Sequence, residues 1–244
     1  MKRLLYFVLA ICMLSCNKDD SNEPITYLEG DLEINSLSDL QDPEVMAYKT
    51  IRGNLIINYT ADVEDLAYLE NLEKVNGIFI RNNLSLKSLK GLEHISEIEF
   101  LEIEDNIQLA SLEGLENLIS IEKTLRIENN DKLETFDALA SLRLVGEQIA
   151  IFDNRSLNSI SGLINLEECH QLLITNNINL TSVKGLQGLK NSADVRIYSN
   201  DSLVDFCALT NFVRNNTVTF SVEIRQNSYN PTIEELMQNI CRKN

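Results

Sequence analysis

The chain has 244 residues, of which 44% are hydrophobic and 24% are charged. This composition supplies enough apolar side chains for a folded core and excludes a largely disordered chain. Acidic residues outnumber basic ones 37 to 21, which gives a formal net charge of −16. Binding to nucleic acid or to anionic lipid needs clustered Lys and Arg. We therefore expect no nucleic-acid partner and no polybasic contact with a membrane.

The first fifteen residues have the composition of a signal peptide. Lys2 and Arg3 give a positively charged start, and an uninterrupted apolar stretch runs from Leu4 to Leu14. This stretch is shorter than the roughly 20 residues that span a bilayer, but it has the length of a signal-peptide core. We therefore expect residues 1–15 to direct secretion and then to be removed.

The next segment suggests how the mature chain is held. Residues 13–16 read MLSC and resemble a bacterial lipobox, with Met13 where such sequences prefer Leu. The resemblance implies cleavage before Cys16 and attachment of lipid to its sulfur, which would be the chain's only contact with a membrane. The alternative is an ordinary secretory signal with an incidental cysteine.

A short polar segment follows Cys16. Residues 18–20 read KDD and resemble the export tag of surface lipoproteins in the Bacteroidota. The resemblance implies an outer-membrane protein that faces the cell exterior, at the end of a flexible tether over residues 16–27. The alternative is a solvated acidic linker, because polar segments of this kind are flexible in any case.

The rest of the chain is dominated by an internal repeat. Residues 101–106 read LEIEDN, and related sextets start at residues 78, 125, 149, 172 and 195, with fainter copies at 32, 55 and 222. Successive copies are 23 or 24 residues apart until the last, which is 27 residues on. Near-constant spacing of this kind indicates a solenoid, in which each coil brings the chain back beside its previous strand.

Each column of the repeat has a physical interpretation. The two apolar residues of the sextet point inward from a short strand. The final asparagine of each sextet turns inward, where its amide can donate to and accept from neighbouring backbone. A small residue eight positions later marks a tight bend or a close approach of backbones. The structural asparagine column comprises Asn83, Asn106, Asn130, Asn154, Asn177 and Asn200.

The pattern resembles the leucine-rich repeats, and more closely the receptor L domain repeat, over roughly residues 30–227. The resemblance implies a mainly β, right-handed solenoid of about eight coils with parallel strands. We assign residues 28–227 to this solenoid and its N-terminal cap. In the second coil Thr60 replaces the asparagine, and the first coil lacks that column.

The last segment predicts a cap over the open end of the solenoid, in residues 228–244. Thr232 and Glu235 have the spacing of a capping box, and an apolar helical stripe of Ile233, Leu236, Met237 and Ile240 follows. The FCALTNF and YNPT segments resemble the C-terminal cap of bacterial L domain-like lipoproteins. We predict a disulfide between Cys207 and Cys241, which leaves Cys169 as a buried free thiol.

The sequence offers no candidate catalytic set, cofactor motif or metal site. His94 and His170 stand outside any ligand-spaced motif. The acidic clusters lack the spacing of a calcium loop. We expect neither enzymatic activity nor a cofactor. The triplet from Asp201 to Leu203 resembles a short O-glycosylation motif of some Bacteroidota, and whether it is modified stays open.

The residues that the repeat leaves unassigned lie on the outward face of the strands. A charge ladder is expected in the first half, and exposed Ala150, Phe152, Leu173 and Tyr198 in the second. We predict either a surface that binds a protein or glycan partner, or a structural spacer without a ligand groove. The candidate binding residues are Phe79, Arg81, Glu102, Glu104, Arg126, Glu128, Phe152, Leu173, Arg196 and Tyr198.

Overall fold

A computed structural model describes residues 26–215 and 220–243. The predicted signal peptide, the predicted lipid-attachment residue Cys16 and all but the last two residues of the predicted tether lie outside the described residues. Within the described ranges, no helix is both long enough and apolar enough to cross a membrane.

Strands and short turns make up most of the described chain. Its ten strands are β1 (Tyr27–Leu28), β2 (Leu32–Ile34), β3 (Thr50–Asn58), β4 (Lys74–Arg81), β5 (Glu97–Glu104), β6 (Ser120–Glu128), β7 (Leu144–Phe152), β8 (Glu168–Thr175), β9 (Asp194–Tyr198) and β10 (Ser221–Arg225). Its four α-helices are α1 (Leu37–Leu40), α2 (Pro43–Ala47), α3 (Thr210–Asn215) and α4 (Ile233–Met237).

All ten strands form one parallel sheet in chain order. From β3 onward each strand pairs with the next, while β1 and β2 pair with the first and last parts of β3. Because β1 and β2 lie side by side along β3, the ten strands of the described chain form nine successive positions across the sheet, and eight coils connect them. The predicted solenoid of parallel strands is confirmed.

The inward columns of the repeat form one continuous core. In the coil that starts with β5, the inward residues include Leu101, Ile103, Leu109 and Leu112, none of them more than 1% exposed. Burial of apolar side chains stabilises by about 25 cal/mol per Å². Because every coil buries the same columns, each coil stabilises the next.

The strands β3 to β8 begin four or five residues before the sextet that each contains. For example, β5 begins at Glu97, and Ile98 adds a third inward side chain before the chain reaches Leu101. The pairing register shifts between Ile98 and Phe100. A shift of this kind bends a strand, and the bend turns the coil toward the core. In β3 to β8 the six-residue sextet therefore covers only the second part of the strand.

The return path of each coil is made of turns and single 3₁₀ turns, as the spacing of three residues between leucines predicts. These 3₁₀ turns span Ala67–Leu69, Asp137–Leu139, Ser161–Leu163, Leu186–Gly188 and Cys207–Leu209. At Gly114 the backbone has φ +110°, and a Cβ there would lie 2.1 Å from the carbonyl oxygen of Leu89. Only glycine fits this approach of two neighbouring coils.

The C-terminal end is capped by α4, which has the predicted capping box: Thr232 accepts from the backbone of Glu235, and Glu235 accepts from the backbone of Thr232. The predicted disulfide between Cys207 and Cys241 is confirmed, with the Cα atoms 4.8 Å apart. It holds the end of the chain against the last coil, where the backbone of Phe206 donates to Cys241.

The predicted apolar stripe of this cap is only partly correct. The helix occupies five residues of the segment 228–244, and of its stripe Leu236 is fully buried while Ile233 is half-buried. Met237 and Ile240 are 44% and 48% exposed. The helix ends at Met237, so Ile240 follows a turn and does not continue the helical face.

Candidate functional site: the outer strand face

A ladder of asparagine side chains fixes the ends of the strands. Asn130 illustrates the pattern: its Oδ1 accepts from the backbone N–H of Asn106 at 3.1 Å, and its Nδ2 donates to the carbonyl of Ile103 at 2.9 Å. Comparable bonds link Asn83, Asn106, Asn130, Asn154, Asn177 and Asn200, all fully buried. Each strand end is therefore held to the coils before and after it.

The ladder extends beyond the six predicted members. Thr60 begins it, donating through both its backbone N–H and its hydroxyl to Oδ1 of Asn83. Asn227 continues it by accepting from the backbone of Asn200, and Asn230 closes it by accepting from the backbone of Asn227. The sextet starting at Val222 carries the same asparagine, so the sequence already contained this signal.

A second regular feature lies just before each ladder residue. The preceding residue adopts a left-handed backbone, with φ between +53° and +58° at Tyr59, Asn82, Asp105, Asn129, Asp153, Asn176, Ser199 and Gln226. Asparagine and aspartate tolerate this conformation best among residues with a Cβ, and they hold five of the eight positions. The left-handed residue ends each strand and turns the following asparagine into the core.

The outward side chains of β3 to β10 form a continuous surface, which we call the outer strand face. Three outward positions on each strand form rows across the sheet, because neighbouring strands pair in register. Of the ten predicted binding residues, Arg196 is exposed and the others are half-buried. The structure places all ten on this face, together with Phe100, which is not among the predicted residues.

The first half of the face carries a compact network of ion pairs. Arg126 Nε lies 2.8 Å from Glu104, and Arg126 also pairs with Glu128. Arg81 pairs with Glu102, and its Nε lies 3.6 Å from Glu104. Arg126 and Glu102 are paired in backbone register, but the guanidinium of Arg126 turns toward Glu104 and Glu128.

This network is shielded from solvent. The carboxylate side chains of Glu102, Glu104 and Glu128 are only 19–20% exposed. Burial raises the pKa of Glu128 above its usual value, Arg126 opposes that shift, and the neighbouring carboxylates of Glu104 and Asp105 reinforce it. The five charged groups largely compensate one another, so this half of the face presents little free charge.

Aromatic rings lie among these charges, each with a cation over one face. Arg81 lies 5.0 Å from the ring centroid of Phe79, and Lys123 lies 4.6 Å from that of Phe100. The two rings are 6.1 Å apart. Contacts of this geometry stabilise by about 0.5–1 kcal/mol at exposed sites. The rings of Phe79 and Phe100 therefore form part of the charged half of the face.

The second half of the face differs from the prediction. Ala150 is 1% exposed and contributes nothing to the surface, and Leu173 is half-buried. Ala150 is buried because its side chain is short and lies between the larger side chains of Arg126 and Leu173, its partners on the two neighbouring strands. Phe152 and Tyr198 remain at the surface, with Thr175 between them.

Two adjoining depressions lie where the strands begin, away from the outer strand face. They have volumes of about 350 and 420 Å³ and share Val75, Asn76 and Glu97. Glu99 and Glu122 make the first of them acidic. Over residues 26–215 and 220–243, no group of three or more His, Cys, Asp or Glu side chains is arranged to hold a metal ion. His94 and His170 are both exposed.

Comparisons with known proteins give no further assignment. No protein-family model matches the chain, and no curated protein matches it.

Proposed function

We propose that this chain is a non-enzymatic, lipid-anchored protein of the cell envelope whose outer strand face binds a protein or glycan partner. The observation that carries the proposal is the face itself. Aromatic and charged side chains that have no part in the core lie in register on a rigid parallel sheet. Aromatic residues and arginines on a fixed backbone are the groups that contribute most to binding energy in protein interfaces.

The proposed location rests on the amino-terminal sequence. The lipobox-like segment ending at Cys16 supports lipid attachment, and the KDD segment supports export to the outer surface. The resemblance to receptor L domains supports a binding role, because such a solenoid presents its sheet as an extended recognition surface. The net charge of −16 supports a partner other than nucleic acid.

A structural spacer is the second candidate, and one observation favours it. The network of Arg81, Glu102, Glu104, Arg126 and Glu128 pairs its charges internally. A partner at this half of the face would have to compete with existing ion pairs. A spacer would need no such contact, and the network would serve to hold the coils together.

Cross-linking on intact cells tests the proposal. A membrane-impermeant cross-linker should join the wild-type chain to a cell-surface or added partner, and the double variant Phe152→Ala/Tyr198→Ala should lose that product. Cys16→Ser should release the chain from the cells. Tyr59→Asn is the matched control, because it removes an exposed aromatic residue outside the outer strand face, and asparagine suits the left-handed backbone there.

The outcomes separate the two candidates. A product that persists unchanged in the double variant contradicts binding through Phe152 and Tyr198. If deletion of the whole chain disturbs an envelope assembly while every variant of the face restores it, the spacer role is the correct one.

A further inference from the structure

Phe152, Thr175 and Tyr198 occupy the same outward position on three consecutive strands, β7, β8 and β9. The pairing register places Thr175 directly between the two aromatic residues. Adjacent strands lie about 4.8 Å apart, so the two aromatic backbones are separated by roughly 10 Å. We call this group of three residues the aromatic slot.

The two rings of the aromatic slot are each covered on the side that faces away from Thr175. Arg126 lies 4.5 Å from the ring centroid of Phe152, and its ion pairs with Glu104 and Glu128 hold it on the side of β6. Arg225 lies 4.5 Å from the ring centroid of Tyr198, on the side of β10. Within the described chain, no cation lies over the ring faces that point toward Thr175.

Thr175 contributes a polar group that lacks a partner. The residue is only 7% exposed, and its hydroxyl makes no hydrogen bond within the described part of the chain. A shielded hydroxyl without a partner is unfavourable. A ligand that moves the two rings apart and bonds this hydroxyl would remove that cost.

The charges around the aromatic slot exclude most ligand classes. The neighbouring arginines are paired, Arg126 with Glu104 and Glu128, Arg196 with Asp194, and Arg225 with Glu223. They therefore offer no free cation to an anionic ligand, and the acidic chain repels one. A cationic ligand in the slot would lie across one aromatic ring from the guanidinium of Arg126 or Arg225, and these like charges would repel it.

An entirely apolar ligand also fits poorly, because it would leave the hydroxyl of Thr175 without a partner. A neutral ring with an apolar C–H face and several hydroxyl groups satisfies both requirements, stacking on the aromatic rings and bonding the threonine. Gln148 and Gln171, which are hydrogen-bonded to each other at 3.3 Å on β7 and β8, add planar amide groups that can pair with further hydroxyls.

We infer that the aromatic slot of Phe152, Thr175 and Tyr198 is a subsite for a neutral sugar ring of a glycan chain. The inference rests on the proposed binding function of the outer strand face and names its ligand class. The two rings stack against the sugar, and the threonine hydroxyl fixes its orientation.

Calorimetric titration of the purified full-length chain tests the inference. The probes are cellohexaose, maltohexaose and mannohexaose, in a detergent that carries no sugar headgroup. At least one probe should bind with a Kd below about 1 mM. Phe152→Ala and Tyr198→Ala should each weaken that binding by about tenfold or more. Thr175→Val keeps the shape, removes the hydroxyl and should weaken binding by about three- to tenfold.

Two controls keep the result interpretable. Tyr59→Asn removes an exposed aromatic residue from outside the outer strand face, keeps a residue that suits the left-handed backbone, and should leave binding within about twofold. Tyr198→Phe keeps the stacking surface and should retain most of the binding. Thermal unfolding of every variant shows that the solenoid is intact, and Thr175→Val should be at least as stable as wild type because its unpaired hydroxyl is gone.

Several results would overturn the inference. One is the absence of binding by all three hexaoses at millimolar concentration, and another is binding that the slot variants leave unchanged. Binding of tetralysine in place of sugar, weakening as salt is added, would assign the slot to a cationic partner. If the hexaoses fail but cross-linking to a protein still depends on Phe152 and Tyr198, the proposed binding function stands without the glycan.

Discussion

Each ladder asparagine performs two tasks that no other side chain of its size combines. Its carbonyl oxygen accepts from the coil before it, while its amide nitrogen donates to a strand carbonyl of that coil. Threonine can replace it only at the first position, Thr60, where no earlier ladder residue needs an acceptor. The chemistry of one amide therefore explains why the column persists from coil to coil.

Replacing a central ladder residue should be strongly destabilising. Asn130→Ala removes the acceptor for the backbone of Asn106 and the donor to Ile103, and it leaves both groups buried and unpaired. We expect a loss of roughly 2–5 kcal/mol in the free energy of unfolding, measured by urea titration with circular dichroism. The exposed Asn158→Ala should change it by less than about 0.5 kcal/mol. Equal stability of the two variants would contradict a contribution of the asparagine ladder to the free energy of unfolding.

The buried thiol of Cys169 should make stability fall at high pH. Burial raises its pKa from 9.0 to about 12, so the native thiol stays protonated while the thiol of the unfolded chain ionises. The unfolded state then binds fewer protons than the native state. The contribution of the Cys169 thiol to stability is complete below pH 9 and is lost as the pH rises toward 12. The loss amounts to roughly 3–4 kcal/mol at 1.36 kcal/mol per pKa unit.

Urea titrations at pH 8 and pH 10.5 measure this effect. Cys169→Val is the matched variant, since Val145 occupies the same inward column on the neighbouring strand. The variant should lose less stability between the two pH values than wild type, although Tyr48, whose pKa burial also raises to about 12, titrates in both proteins. Parallel curves for the two proteins would show that the thiol plays no part.

At the scale of elements, the coils differ in the backbone conformation of the small residue at which the return paths of neighbouring coils approach each other. Gly91, Gly114 and Gly185 have positive φ, whereas Ala138 and Ala208 fill the same column within 3₁₀ turns. A 3₁₀ turn keeps φ negative and so accepts a Cβ. Small residues were predicted for this column, but the pattern did not predict which of the two backbone conformations each coil adopts.

The C-terminal cap depends on its disulfide as well as on packing. Only Leu236 of α4 is fully buried, so the helix itself adds little apolar area to the core. The bond between Cys207 and Cys241 closes 34 residues of chain. The cap is therefore held by this covalent link, by backbone bonds to the last coil, and by Arg214, whose guanidinium donates to the carbonyl of Met237.

Removing the disulfide should destabilise the protein. Cys207→Ser/Cys241→Ser should lower the free energy of unfolding by roughly 3–4 kcal/mol on the chain-entropy account. Urea titration with and without reductant measures this: reductant should destabilise wild type and Cys169→Val alike and leave the double serine variant unchanged. A double variant as stable as oxidised wild type would show that the cap does not depend on the bond.

At the scale of the whole molecule, the outer strand face exists only because eight coils repeat the same path. Residues about 23 positions apart in the chain become neighbours about 4.8 Å apart on adjacent strands. The properties of the face therefore depend on which residues occupy the same repeat position in consecutive coils. The charged half and the aromatic slot are each assembled from consecutive coils. Coil-to-coil register is thus the variable on which the proposed function depends.

Much of this architecture could be predicted from the sequence. The repeat period set the number of coils, the inward columns gave the core, and the ladder asparagines and the bridged cysteines were recognisable by position. The reason is physical: an inward position tolerates only a few side chains, so its chemistry is visible in every copy. The last sextet ends in the same asparagine, Asn227, which makes the same ladder bonds although it was not among the six predicted residues.

The outward positions could not be predicted in this way, because many side chains suit a solvated strand. Only the tertiary structure decided that Arg126 pairs with Glu104 and Glu128, that Ala150 is covered, and that Thr175 is shielded between two rings. Those outcomes depend on side-chain directions and on distances between neighbouring coils, which a one-dimensional pattern does not contain. The sequence by itself determined the solenoid, and the packing of coil on coil decided what its surface presents.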